Sequence, residues 1–142
     1  IPFALRKVMK ERAKPIVCFL GADYTPNILA VQHILQIAKC VPDVTFLIVG
    51  SVGEKFRGVR IPDNVIFTGY VEDVEPYLII SDFFLNLKLT SDTGIEAKML
   101  DYLRYGKPII STKIGARGFE HYKNVIIVNT IDEIANEIQK LV

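Results

Sequence analysis

The residues that could do chemistry are densest between Thr93 and Asp101. Thr93 and Glu96 have the Thr-x-x-Glu spacing of a capping box, which satisfies backbone N–H groups at the start of a helix. Gly94 leaves room for a ligand to approach the other open N–H groups of that first turn, where the helix dipole favours an anion. Lys98 follows one turn on and Asp101 two. Thr93, Ala97 and Asp101 stand four apart and line one helix face. Asp101 has a carboxylate able to accept two hydroxyls, and Lys98 can meet a phosphate as a point charge. The plain alternative is a well-capped helix carrying a surface Lys98–Asp101 pair, worth little. Spacing alone leaves both open.

Other arrangements exclude chemistries. Gly50-Ser51-Val52-Gly53 follows an apolar run, as a dinucleotide-binding turn would, but lacks the third glycine, and 54–60 reads as a charged loop in place of a helix. Arg57 and Arg60 are expected to solvate that loop. No Walker loop is present. Asp23 alone does not make the acidic pocket of a receiver domain. His33 and His121 share no metal-ligand spacing; His33 reads as a structural histidine on a helix flank. There is no Ser/His/Asp nucleophile elbow. Cys18 and Cys40 cannot form a zinc site or a disulfide framework, and both are expected to be buried in a reducing compartment.

The elements that must position these residues alternate. Short continuous apolar runs at 16–20, 44–49, 65–68, 83–87, 108–111 and 125–128 have the pattern of buried parallel strands, the first three ending at Gly21, Gly50 and Gly69. Helices are expected from Thr25 (N-cap) and Pro26, with Ile28, Val31, Leu35 and Ala38 on the apolar face, and at 74–80, 94–105 and 131–141. Gly106 should end the third of these and Thr130 cap the last. Strand–helix alternation at short spacing implies right-handed crossovers. The expected fold is α/β, a Rossmann-like three-layer sandwich with a parallel sheet of about six strands. Ligands of such sheets bind at the carboxyl edge of the strands.

The 142 residues suit one domain with a substantial core. Half are hydrophobic and the net charge is +1, so no global field draws nucleic acid or an anionic surface. No apolar run is long enough to span a membrane. The first fifteen residues carry Arg6, Lys7, Lys10, Arg12 and Lys14 against Glu11. We read 1–15 as a basic lead-in and 16–142 as the folded domain. Since the chain opens on Ile1-Pro2, we expect it to be part of a longer protein.

Segments 42–50 (PDVTFLIVG), 62–71 (PDNVIFTGYV), 94–108 (GIEAKMLDYLRYGKP) with 109–112 (IIST), and 115–118 (GARG) occur in an order and spacing that resembles the C-terminal, donor-binding domain of family 4 glycosyltransferases, half of a GT-B fold. The most specific is 94–108, similar to the family pattern Gly-x-x-x-Lys-x-x-Glu-Tyr-x-x-x-Gly-x-Pro. The resemblance covers 17–120. It implies a retaining glycosyltransferase that moves a sugar from a nucleoside diphosphate sugar to a glycan or lipid-linked acceptor, in polysaccharide biosynthesis. It implies a cytoplasmic protein, in solution or at the inner membrane face, that meets the membrane peripherally through the missing half. An N-terminal domain, absent from this chain, would hold the acceptor, so this fragment alone would be inactive.

Carried over position by position, the resemblance implies pyrophosphate at Gly94, Ile95 and Lys98, ribose at Asp101, and the base beside Gly69, Tyr70 and Val71. Gly21 and Lys88 would line the same donor site, with Thr93 and Lys98 as the catalytic pair. It implies no cofactor and no metal, because basic side chains and the helix dipole would stabilise the leaving diphosphate. Three positions depart from the family. Thr93 stands where the first carboxylate of a pair belongs, and Ala22 and Asn27 stand where an Arg and a Lys are frequent. Lys88, Lys98 and Arg117 are the cations nearest at hand to substitute. The departures leave open a non-catalytic GT-B-like binding or scaffolding module, and the shared fold leaves open half of a sugar-nucleotide epimerase.

Overall fold

The computed structural model describes Arg6, residues 14–90 and residues 96–142. Nearly all of the 1–15 lead-in therefore lies outside the described residues. Six strands, β1 (Ile16–Leu20), β2 (Thr45–Val49), β3 (Val65–Phe67), β4 (Phe83–Asn86), β5 (Ile109–Thr112) and β6 (Val125–Val128), form one sheet in the order β3-β2-β1-β4-β5-β6. Every neighbouring pair is parallel. The sheet is the Rossmann-like α/β arrangement expected from the alternation.

Every residue of β1 and β2 is buried, because helices cover both faces and a buried strand has no side to give to polar residues. Alternate side chains enter opposite cores. Val17, Phe19, Phe46 and Ile48 pack with α1 (Thr25–Cys40) and α4 (Asp132–Leu141). Cys18, Leu20, Leu47 and Val49 pack with α2 (Glu75–Ile80) and α3 (Lys98–Leu103). Two polar side chains close open ends of this frame. The Asn64 amide donates to Ala38, Val41 and Val44 carbonyls, each at 3.0 Å, where α1 ends and β2 begins. The Lys107 ammonium donates to the Leu78, Ile79 and Ser81 carbonyls and so caps α2.

Several expectations need correction. Residues 54–60 were expected to be an irregular charged loop, yet Ser51–Phe56 is a 3-10 helix, because Val52 and Phe56 find apolar partners and bury. Thr25 does not cap α1: Tyr24 holds the extended cap position, its carbonyl accepting from Asn27 and Ile28. Thr130 does not cap α4 with its side chain; Ile131 is the capping residue. Cys40 is exposed, since it falls in the last turn of α1 beyond the buried stripe, whereas Cys18 is fully buried in β1. The helix expected at 94–105 starts at Lys98, with Glu96 and Ala97 outside it, and ends at Leu103 ahead of Gly106, whose φ of 65° turns the chain away.

Candidate functional site at the carboxyl edge of the sheet

The strand order reverses direction between β1 and β4. Chain leaving β1 runs on to β2 and β3 on one side, and chain leaving β4 runs to β5 and β6 on the other. In open parallel sheets such a switch point forms a crevice at the carboxyl ends of the strands. Here its walls are the residues after Leu20 and Asn86.

On the β1 side, three glycines knit the strand ends together. Gly21 N–H donates to Val49 C=O at 2.9 Å, and Gly21 C=O accepts from Val52 N–H at 3.1 Å. Gly50 N–H donates to Gly69 C=O at 3.2 Å. A Cβ on Gly50 would lie 2.2 Å from the Gly21 oxygen, and Gly50 has φ of 118°, so no other residue fits this junction. Beyond it, Tyr70 projects into solvent and Val71 is half-buried against the core beside α2 and α3.

On the β4 side, Thr112 fixes the backbone of Lys88. Its hydroxyl donates to Lys88 C=O at 2.7 Å and accepts from Lys88 N–H at 3.1 Å. Asn86, fully buried, donates its amide to Gly115 C=O at 3.0 Å and to Ser111 Oγ at 3.3 Å. Between the two sides stands Tyr102, also fully buried. Its hydroxyl accepts from Leu20 N–H at 2.9 Å and donates to Leu85 C=O at 3.0 Å, while its ring stacks on Phe84 with centroids 4.6 Å apart. β1 and β4 pair through Val17 and Cys18. Farther along, the phenol oxygen serves the backbone groups of both strands where they diverge.

Into this crevice α3 and the segment just past β4 bring two lysines. Lys88 Nζ lies 3.1 Å from Glu96 Oε1, and Lys98 Nζ lies 3.7 Å from Glu96 Oε2. Lys98 also donates to Asn27 Oδ1 at 2.9 Å and sits 4.1 Å above the Phe19 ring. Both ammoniums are well shielded, with side chains 6% and 11% exposed. Burial lowers the Lys98 pKa to about 8 against the opposing pull of Glu96. The arrangement holds two cations at a sheet edge with an internal carboxylate touching both.

The structure therefore brings Gly21, Lys88 and Lys98 together, with Asn27 between Gly21 and Lys98. Asp101 stands apart from the lysines: it is half-exposed and pairs with Arg104 at 3.6 Å, so the Lys98–Asp101 surface pair is not what forms. Thr93, Gly94 and Ile95 lie outside the described residues. Of the expected capping box, Glu96 is described, and its carboxylate is turned to the lysines. Arg57 pairs with Glu54 on the 3-10 helix and is exposed, as the loop reading of that arginine required. Glu96, Tyr102 and Asn27 are the residues whose roles spacing did not show. Glu96 had an alternative use as a cap, and Tyr102 matched a helical core position. Asn27 had been read only as the absence of a lysine.

The sequence model of the family described as glycosyl transferases group 1 matches residues 14–142. No curated protein matches. Among solved structures, HepE of Anabaena in complex with UDP-glucose is similar over 99% of this chain and 43% of its own, with a TM-score of 0.69 at 19% identity. Sucrose-phosphate synthase of Thermosynechococcus elongatus gives 0.74 at 17% identity, covering 99% of this chain and 39% of its own. WaaG, a glycosyltransferase involved in lipopolysaccharide biosynthesis, gives 0.71 at 16%, covering 99% and 42%. The chain thus spans less than half the length of these structures.

Proposed function

Because this chain belongs to the group 1 glycosyl transferases, we propose that it is the nucleotide-sugar-binding half of a retaining enzyme, serving a glycan or lipid-linked acceptor. The observation that carries the proposal is the buried pair Lys88 and Lys98 at the switch point between β1 and β4. Two cations held there can meet a diphosphate, and the same pair offsets charge on the departing nucleoside diphosphate without a metal. Lys98 supplies a cation at Asn27, where relatives frequently carry a lysine. The charge comes from α3 instead of α1.

In this reading Asp101 receives the ribose, and Gly69, Tyr70 and Val71 pass beside the base. Gly21 lets the donor approach β1, and Gly94, Ile95 and Thr93 complete the phosphate and sugar contacts. HepE is seen with UDP-glucose, which makes a uridine nucleotide the first donor to try. A partner domain supplies the acceptor. The protein acts in the cytoplasm, free or at the inner face of the membrane.

Titration with UDP, GDP, ADP and dTDP, followed by amide NMR, tests the reading. Saturable binding of one nucleotide, shifting Gly21, Gly69 and Lys88 and lost in Lys98→Ala, is the expected result. No shifts at millimolar ligand would favour a second reading, a non-catalytic module of the same fold. Ala22 favours it, an exposed methyl group where relatives frequently place an arginine.

A further inference from the structure

Two shielded ammoniums require an anion, because an uncompensated buried charge is costly. In this fold Glu96 is an anion within reach of both, one oxygen toward Lys88 and the other toward Lys98. Its geometry is that of a bridging ligand. The lysines come from different places, two residues past β4 and the first residue of α3, and one carboxylate joins them. Glu96 is also the most accessible of the three, its side chain 20% exposed, and it stands just ahead of α3, outside regular helix. It can rotate toward solvent without unwinding a turn.

We propose that Glu96 is a resident counter-ion holding the place of the donor's diphosphate, and that donor binding exchanges its carboxylate for phosphate oxygens between Lys88 and Lys98. This rests on the donor-site reading above. The exchange has two consequences. Without donor, the carboxylate keeps both lysines charged and in position, so the cradle is built before the ligand arrives. With donor, the incoming anion must outcompete a carboxylate carrying one charge. A diphosphate with two or three charges does so more readily than a singly charged anion. Glu96 is therefore a specificity-determining residue: it raises the threshold against weakly charged anions.

Glu96→Gln keeps the shape and removes the charge. The test compares the protein and this variant at about pH 6, because loss of Glu96 takes Lys98 in the variant below its value of about 8 in the protein. It uses UDP, GDP, ADP and dTDP with inorganic pyrophosphate and inorganic phosphate as base-free probes. The tightest-binding nucleotide should bind the variant about tenfold more tightly or better, a difference of about 1.4 kcal/mol. The preference for pyrophosphate over phosphate should narrow. Unchanged or weaker binding to the variant, with normal binding to the unmodified protein, overturns the exchange and leaves the donor site standing. Binding of none of the six to either form overturns both. Should thermal melting show that Glu96→Gln does not fold, a crystal structure of the unmodified protein with its best nucleotide decides. Phosphate between the lysines with Glu96 beyond about 4 Å of Lys88 supports the exchange, and Glu96 still on Lys88 overturns it.

Discussion

Lys98 is the side chain on which charge at the site turns. Burial favours its neutral form, so its pKa falls from 10.5 to about 8. The sign follows from proton counts. Between pH 8 and 10.5 the unfolded chain holds a proton that the native chain has released, so Lys98 favours folding most above this window. That favour is lost as pH drops through about 8. Anion binding runs the other way, because only the ammonium attracts phosphate. Nucleotide affinity should weaken above pH 8 by up to about tenfold per pH unit, and calorimetric titration across pH 7 to 10 checks it. In Lys98→Arg the guanidinium stays charged and the profile should be flat. A lysine titrating at its ordinary value would hold affinity constant to pH 10 and refute the assignment. The cysteines separate in the same way. Burial pushes the Cys18 thiol up to about 12, whereas Cys40 is exposed. One thiol per native chain should react with a disulfide reagent at pH 8, and the second only after unfolding.

At the scale of elements, the crevice is set by how β1 and β4 are kept apart. The Tyr102 hydroxyl meets Leu20 N–H and Leu85 C=O together. Phenylalanine there keeps the stack on Phe84 but leaves both groups buried and unpaired, at a cost of about 1–3 kcal/mol each. Tyr102→Phe should therefore lower stability by about 2–6 kcal/mol in urea unfolding, and a loss under about 0.5 kcal/mol would show that water repairs the gap. Strands and helices were largely legible because doubly covered strands are continuous apolar runs, and Gly21, Gly50 and Gly69 punctuate them. Helix starts were not. Tyr24 and Ile131 cap by backbone geometry alone, which no side-chain type announces. The 3-10 helix at Ser51–Phe56 hid because two buried residues among polar ones give no full helical period. Lys88 and Lys98 were legible as cations at the carboxyl edge of the sheet, but their meeting through Glu96 was not. It depends on Thr112 holding the Lys88 backbone from a neighbouring strand.

For the whole molecule, the placement of the site governs what this chain can do alone. The lysines lie at one edge of a single sheet, and the structures it resembles are more than twice as long. On the proposed reading, a donor at that edge has its diphosphate held by the lysines, while its anomeric carbon faces an acceptor brought by another surface. Binding and transfer should therefore separate. On that reading the clamp alone should give saturable nucleotide binding, since Lys88, Lys98 and their supports all lie within this chain. Transfer needs the acceptor to be oriented, a contribution that can supply about 7–11 kcal/mol of a barrier. We expect this chain to bind the nucleotide and to release no more sugar from a radiolabelled nucleoside diphosphate sugar than buffer does, with or without glycan acceptors. Adding a domain that supplies the acceptor should give transfer, and Lys98→Ala in that assembly should abolish it. Turnover by this chain alone would place the acceptor site within this chain, and the division between binding and transfer would fall.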